Sequence, residues 1–354
     1  MTATWDQDGF RTRVQEALDA FLDEQAERLL PLGPDAARLV AEARTSVAGG
    51  KMFRASFCWW GHLAVGAPRD EDALVRACAA LELLHASALV HDDYMDASDS
   101  RRGRPATHRT FESEHRGAGW RGDPEQYGAA GAILLGDLLL SWSDELLRRC
   151  GLPLPVVAPA LEIFDLCRTE VIAGQFLDVS AQARGRADVE VAMTVLRYKS
   201  AKYSIERPLH LGAALAGAPA STLAELTSFG LPLGEAFQLR DDLLGVYGDP
   251  AATGKPAGDD LVEGKRTVLV ALALDAAPPA DAALLDRSLG TNLSPEEVQR
   301  LREVIDGSGA RAQVEDVIDQ LTATALAALD RASIDDDARE VLRGLAAAVT
   351  DRVV

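Results

Sequence analysis

Apolar positions in this chain fall in long Ala- and Leu-rich runs broken by Gly and Pro clusters, and alternation of β-branched residues is scarce. That pattern predicts helices and an all-α protein. Breaks are expected at Leu32-Gly33-Pro34, Gly66-Ala67-Pro68, Ser98 to Thr107, Ser113 to Tyr127, Gly151 to Pro155, Arg184 to Asp188, Gly217 to Ser221, Gly248 to Asp260, Ala276 to Ala282 and Ser308-Gly309. Between them lie about a dozen helical stretches of ordinary length. No repeat of solenoid period stands out. The Ser113 to Tyr127 stretch, with three glycines and one proline, reads as a loop of no assigned role. Gly248 to Asp260, rich in Gly, Pro and charge, reads as a lid carrying Lys255, or as a plain surface loop.

Composition narrows the class. The 354 residues are ample for a sizeable core, no linker interrupts them, and 47% hydrophobic content with only 5% aromatics suits packed helices. A net charge of −19 leaves no broad basic face, which argues against nucleic acid or an anionic membrane as partner. Cys58, Cys78, Cys150 and Cys167 show no CxxC spacing and sit in apolar runs, so buried free thiols and a reducing, cytoplasmic setting are expected. Met1 to Phe10 lacks an export signal, and no run of about 18 apolar residues suggests an integral membrane segment.

The most informative run ends in Asp92, Asp93 and Asp96, a DDxxD cluster. No helix breaker precedes it, so a helix carries the cluster, and Asp92 and Asp96, four apart, point the same way. Like charges at that spacing cost a helix about 0.2–0.5 kcal/mol, which a bound cation would offset. Oxygen donors without Cys, and without His at ligand spacing on the same face, suit magnesium better than zinc. Magnesium commonly brings phosphate. A second pair, Asp241 and Asp242, ends the apolar stretch from Phe237 to Gly245. A lone acidic pair is ordinarily a solvated helix end. Here a basic loop from Ser98 to His108, with Arg101, Arg102 and Arg104, directly follows the first cluster and offers guanidinium groups to phosphate. Two such acidic clusters can face each other across a cavity.

With those motifs the chain resembles the trans-isoprenyl diphosphate synthases, or polyprenyl synthetases, from about Gly49 to Thr267. The matching residues, in the family's order, are Gly49-Gly50-Lys51 with Arg54, Glu82 with His85, the DDxxD cluster, Arg101-Arg102-Gly103 with Pro105 and His108, and Gly136-Asp137. Gly174-Gln175 with Asp178, Lys199-Ser200, Phe237-Gln238 with Asp241-Asp242, Gly254-Lys255, Asp259-Asp260 and Gly264-Lys265-Arg266-Thr267 complete it. Three positions depart from the pattern. Gly245 stands where many members carry a third aspartate, Ser200 replaces threonine, and Met52 stands where many bacterial members have an extra arginine.

The resemblance implies one isoprenyl diphosphate synthase domain over residues 1–354, an orthogonal helical bundle around a central cavity, and a homodimer. It implies a prenyltransferase that condenses isopentenyl diphosphate with dimethylallyl, geranyl or farnesyl diphosphate. Three magnesium ions per site, held through Asp92, Asp96 and Asp241, would act with Asp93, Asp242, Arg101, Lys199 and Lys255 on the leaving diphosphate. Lys51, Arg54, His85 and Arg102 would bind isopentenyl diphosphate, and Lys265 would add to substrate binding. Ser200, Gln238 and the backbone near Lys199 would face the allylic cation. His91 keeps a structural reading, Gln175 and Asp178 either serve the site or pair within the core, and Arg352 is a further basic group near the carboxyl end.

Chain length is expected to depend on the wall beneath Asp92, formed by Ser87 and Ala88 and, deeper, by Leu84 and Leu81. Small residues one turn below the cluster favour geranylgeranyl over farnesyl or longer polyprenyl diphosphates. A class I terpene cyclase would need an Asn/Ser/Glu metal motif in place of the second cluster and no second diphosphate site. A non-catalytic partner subunit would usually have lost its aspartates.

Overall fold

The computed structural model describes residues 5–185, 188–248 and 258–351. It is almost wholly helical, as the apolar pattern predicts, and divides into two compact units. The first comprises Met1–Glu162 and Pro208–Ala218, and the second Ile163–Arg207 and Pro219–Val354.

The first unit begins with α1 (Gln7–Leu29), α2 (Pro34–Val47), α3 (Phe53–Leu63) and α4 (Glu71–Met95). The Asp70 carboxylate accepts the Ala73 N–H at 2.9 Å, satisfying an orphan donor at the start of α4. Then come a two-stranded antiparallel hairpin, β1 (Ser100–Arg101) and β2 (Arg104–Pro105), α5 (Thr107–Ala118) and α6 (Pro124–Arg148). α4 is the core helix, with every residue from Ala77 to Leu84 buried. By length and composition it could also cross a membrane, an ambiguity the sequence reading passed over, but 78% of its most apolar window is buried inside the protein.

The unit boundaries fall within α7 (Leu154–Ala183) and at the first residue of α9 (Arg207–Leu215). The second unit contains α8 (Val189–Val195), a π-helix over Leu196–Glu206, α10 (Ala220–Tyr247) and α11 (Asp259–Glu263). It ends with α12 (Val268–Ala276), α13 (Pro279–Ser288), α14 (Pro295–Ser308), α15 (Ala310–Arg331) and α16 (Asp336–Thr350). Its core gathers Leu239, Leu243 and Val246 of α10, Leu269 of α12, Leu301 of α14, and Val314 and Ile318 of α15.

One expectation needs correction. Ser113 to Tyr127 is not one loop, because α5 runs to Ala118 and α6 starts at Pro124. Gly119, left-handed at φ 63°, is the C-cap of α5, and Pro124 occupies the first turn of α6, so these residues punctuate helices rather than fill a loop. Ser98 to Thr107 breaks the helices as expected, and does so through a hairpin. Arg102 and Gly103, at φ 52° and 73°, form the two-residue turn between β1 and β2, where both positions require positive φ. The cysteines are free and buried, as expected.

Candidate active site

α4 carries the first cluster on its last turn. Asp96 caps the helix, donating its N–H to the Asp92 carbonyl at 2.8 Å, so both carboxylates keep one helical register. Ala97 then turns left-handed at φ 54°, and Ser98 N–H closes on the Asp93 carbonyl at 2.9 Å, a Schellman ending with alanine where glycine is usual. That strained reversal sends the chain straight into the basic hairpin.

Around α4 the environment divides by face. His85, Ala88, Leu89, Asp92 and Asp96 are half-buried, whereas Ala86, Ser87, Val90 and Asp93 are buried. The half-buried set, spaced three and four apart, is one open stripe ending at the two aspartates. Ala88 and Leu84 continue the line of Asp92 at one-turn steps, with Leu84 fully covered. Ser87 does not belong to it. Its hydroxyl donates to the Gly136 carbonyl of α6 at 2.8 Å, so the expectation that Ser87 lines the tail pocket is corrected by its packing against α6.

Asp93 points inward as well. Its carboxylate accepts the Arg101 Nε–H at 2.8 and 3.2 Å, and a second Arg101 nitrogen closes the pair. Arg101 also stands 3.9 Å from Asp92. Asp93 is therefore an anchor for the hairpin, while Asp92 and Asp96 lie on the half-buried stripe, with both Asp96 carboxylate oxygens buried.

The basic group lies in the same unit. Arg102 donates to the Ala48 carbonyl at 3.2 Å, and its guanidinium lies against Gly50, where an added Cβ would sit 3.1 Å from Nη2. The Glu82 carboxylate accepts the Ala55 N–H at 3.2 Å at the start of α3. Burial pushes the Glu82 pKa up, against the pull of Arg54, that N–H and Arg102. Burial, then repulsion from Arg54, Arg102 and Arg101, holds His85 well below its ordinary range. A neutral imidazole among three guanidinium groups can share hydrogen bonds with an oxyanion without adding a proton that must later leave. Lys51 lies 5.9 Å from the Phe53 ring in the loop before α3.

The second unit holds the other predicted residues. Lys199 Nζ pairs with Asp178 at 2.5 Å, so Asp178 is an ion-pair partner of that lysine. Asp241 is exposed and Asp242 buried, with Gln238 donating to Asp242 Oδ1 at 2.9 Å. The Gln238 amide is thus engaged with Asp242, which qualifies the expectation that it faces a cation. Burial and then the Asp260 charge drive the Asp242 pKa well up.

A residue the sequence reading underused is Asp260. Its Oδ2 lies 1.9 Å from where a Cβ of Gly245 would be, so its carboxylate fills the space opened by the absent third aspartate. Lys265 pairs with Asp260 at 3.3 Å and with Glu263 at 2.6 Å, holding that carboxylate instead of standing open for a substrate. The signal was the pairing of Gly245 with Asp260 among the motif residues. Lys255 and Arg352 lie outside the described residues.

Among the described residues no three His, Cys, Asp or Glu side chains converge to metal-holding distance. At the end of α4 in the first unit, Asp92 and Asp96 offer only carboxylate oxygens, and in the second unit Asp241 is an exposed carboxylate. Magnesium commonly takes one or two carboxylates and completes its shell with water and phosphate, so the oxygen donors of Asp92 and Asp96 suit it.

A family model for polyprenyl synthetase matches residues 37–306. A crystal structure of geranylgeranyl pyrophosphate synthase from Corynebacterium glutamicum, complexed with isoprenyl diphosphate and magnesium, is 42% identical and covers 99% of this chain and 100% of its own, with a TM-score of 0.96. The geranylgeranyl diphosphate synthase of Mycobacterium tuberculosis is 33% identical over 81% of this chain and 77% of its own. The (2E,6E)-farnesyl diphosphate synthase of the same organism is 31% identical over 86% and 80%. Motifs, helical fold and these matches agree: the chain belongs to the polyprenyl synthetase family and is a trans-prenyltransferase.

Proposed function

We propose that the enzyme extends allylic diphosphates with isopentenyl diphosphate and releases mainly geranylgeranyl diphosphate, its 354 residues working as one catalytic domain. The observation that carries the product assignment is the open stripe of α4, where Ala88 is half-buried one turn below Asp92 and Leu84 is closed one turn deeper. Small volume at Ala88 lets a fifteen-carbon tail take another unit, and Leu84 limits further growth. Overall identity does not decide this, since farnesyl and geranylgeranyl synthases of one organism match almost equally well.

Asp92, Asp96 and Asp241 would hold magnesium, three ions per site, which would supply charge stabilisation to the departing diphosphate. The chain's own groups do the rest. Lys51, Arg54, Arg102 and neutral His85 bind the isopentenyl diphosphate. Arg101, fixed by Asp93, and Lys199, fixed by Asp178, meet the allylic diphosphate, together with Lys255. Carbon–oxygen cleavage leaves an allylic cation, the isopentenyl double bond attacks it, and the released diphosphate takes the proton. Ser200 and the neighbouring backbone present dipoles rather than nucleophiles to the cation.

We also propose a cytoplasmic homodimer. Leu166, Ile172, Phe176 and Leu177 lie exposed on one side of α7, a larger apolar surface than a lone helix ordinarily leaves in water.

Incubation with isopentenyl diphosphate, magnesium and each allylic primer, followed by chromatography of the dephosphorylated products, tests the reading. A main product of twenty carbons supports it. A main product of fifteen carbons, or none, overturns the product assignment or the activity, respectively.

A further inference from the structure

Eleven consecutive residues, Leu196–Glu206, form the π-helix, and they include Lys199 and Ser200. A π turn accommodates an extra residue, costs hydrogen-bond geometry, and is usually confined to one turn. So long a stretch needs its surroundings to hold it. The second unit supplies three holds, two of them glycines on different helices.

Gly174 of α7 lies so close that a Cβ there would sit 2.3 Å from Lys199 N, 2.6 Å from Tyr198 C and 2.7 Å from Lys199 Cα. A Cβ on Gly234 of α10 would sit 2.5 Å from the Ala201 carbonyl oxygen and 2.9 Å from its Cα. All these neighbours are backbone atoms, which cannot swing aside as a side chain would. The two contacts bracket Ser200. Position 200 is thus fixed from α7 on one side of the sequence and from α10 on the other.

The third hold lies at the C-terminal end of the segment. Arg207 donates to Glu170 at 2.7 and 2.9 Å, while Lys202 pairs with Glu206 at 3.0 Å and Glu170 at 3.5 Å. All four side chains are at most 13% exposed, so their charges are largely shielded from solvent. Glu170, Gly174 and Asp178 are spaced four apart and form one stripe of α7. That stripe addresses the end of the π segment, the Lys199 backbone and the Lys199 ammonium in turn.

We infer that Gly174, Gly234 and the Glu170–Lys202–Glu206–Arg207 charge group are positioning residues that hold the Lys199–Ser200 backbone and hydroxyl dipoles where the allylic cation develops. This rests on the proposed reaction and deepens it. The glycines work by what they lack, and the charge group by locking the segment against sliding along α7.

The test compares two diphosphate ligands bound in the presence of magnesium. One carries an ammonium centre at the reacting carbon, and the other is its isosteric uncharged-carbon analogue. Both share the diphosphate contacts, so the ratio of their dissociation constants isolates the dipoles facing positive charge. Gly174→Ala and Gly234→Ala should each cut the preference for the ammonium ligand roughly tenfold, because removing one dipole aimed at developing charge costs on the order of 100-fold and these changes only displace it. Glu170→Gln adds no volume and should act in the same direction, which keeps the test open if the alanine variants fail to fold. Gly61→Ala, whose Cβ would meet the Leu209 carbonyl at 2.3 Å in the first unit, controls for general destabilisation and should leave the ratio alone.

Folded clamp variants with the wild-type ratio would overturn the inference. So would loss of fold in all three while Gly61→Ala folds, since the contacts would then serve the core as a whole. A wild type that binds neither ligand and makes no prenyl product would instead overturn the proposed function.

Discussion

Asp92 and Asp96 share the half-buried stripe of α4, Asp92 3.9 Å from Arg101 and Asp96 with both carboxylate oxygens buried. Removing either carboxylate relieves like-charge repulsion in the helix while deleting a metal donor. Asp92→Ala and Asp96→Ala should therefore melt no lower than wild type yet lose at least about 100-fold in condensation rate. Retention of more than a tenth of the rate would sink the metal role. Asp93→Ala should differ in kind, lowering the melting temperature as well, because it leaves Arg101 without its buried partner.

His85 gives a residue-scale prediction in pH. Its folded pKa lies well below the ordinary value of 6.5, chiefly through burial, so below pH 6.5 the unfolded chain takes up a proton that the folded chain resists. Stability should fall as pH drops from 6.5 toward the folded value. Glu82, raised from 4.5, acts at lower pH and with the opposite sign, because its cost appears as pH rises through 4.5. Melts between pH 7 and 5.5 should show a smaller loss for His85→Gln than for wild type. His62 and His108, which burial also depresses, add to the remaining slope, and the raised pKa of Asp242 works against it. Equal slopes would remove the assignment of a neutral His85.

At the scale of elements, α4 and its terminal aspartates were legible because an unbroken apolar run leaves few alternatives to a buried helix. Which neighbour faced the cavity was not. Ser87 and Ala88 lie equally close below the cluster along the sequence, and only packing of α6 against α4 separates them. The hairpin at Ser100–Pro105 and the π segment were hidden for a similar reason. One depends on two residues at positive φ, the other on glycines of distant helices. The separation on α4 yields a sharper prediction. Ala88→Phe should shift the main product from twenty to fifteen carbons with the first condensation nearly unchanged, since the tail would have to displace a ring from a packed wall at about 1–3 kcal/mol. Ser87→Phe should leave product length alone and lower the melting temperature, because it overpacks the α4–α6 contact and removes the bond to the Gly136 carbonyl. Product profiles and melts for the two variants decide the matter. A shorter product from Ser87→Phe and none from Ala88→Phe would reverse the assignment of faces.

For the whole molecule, charge and apolar surface oppose each other. A net charge of −19 repels a second copy, yet α7 leaves Phe176 71% exposed and Ile172 56% exposed, one turn apart on the same side. An aromatic side chain buries about 150–250 Å² when covered, so two copies meeting through this stripe would remove several apolar side chains from water at once. The expected species in solution is a dimer of twice the 37.8 kDa chain mass, measured by light scattering on a sizing column. Phe176→Glu and Ile172→Glu should each shift it toward the monomer, because a carboxylate would be buried without a partner. Raising ionic strength should tighten the wild-type dimer, since salt screens the repulsion between acidic copies and leaves the apolar contact intact. A wild type that elutes at the mass of one chain at every salt concentration, or variants that stay dimeric, would show that α7 is not where two copies meet.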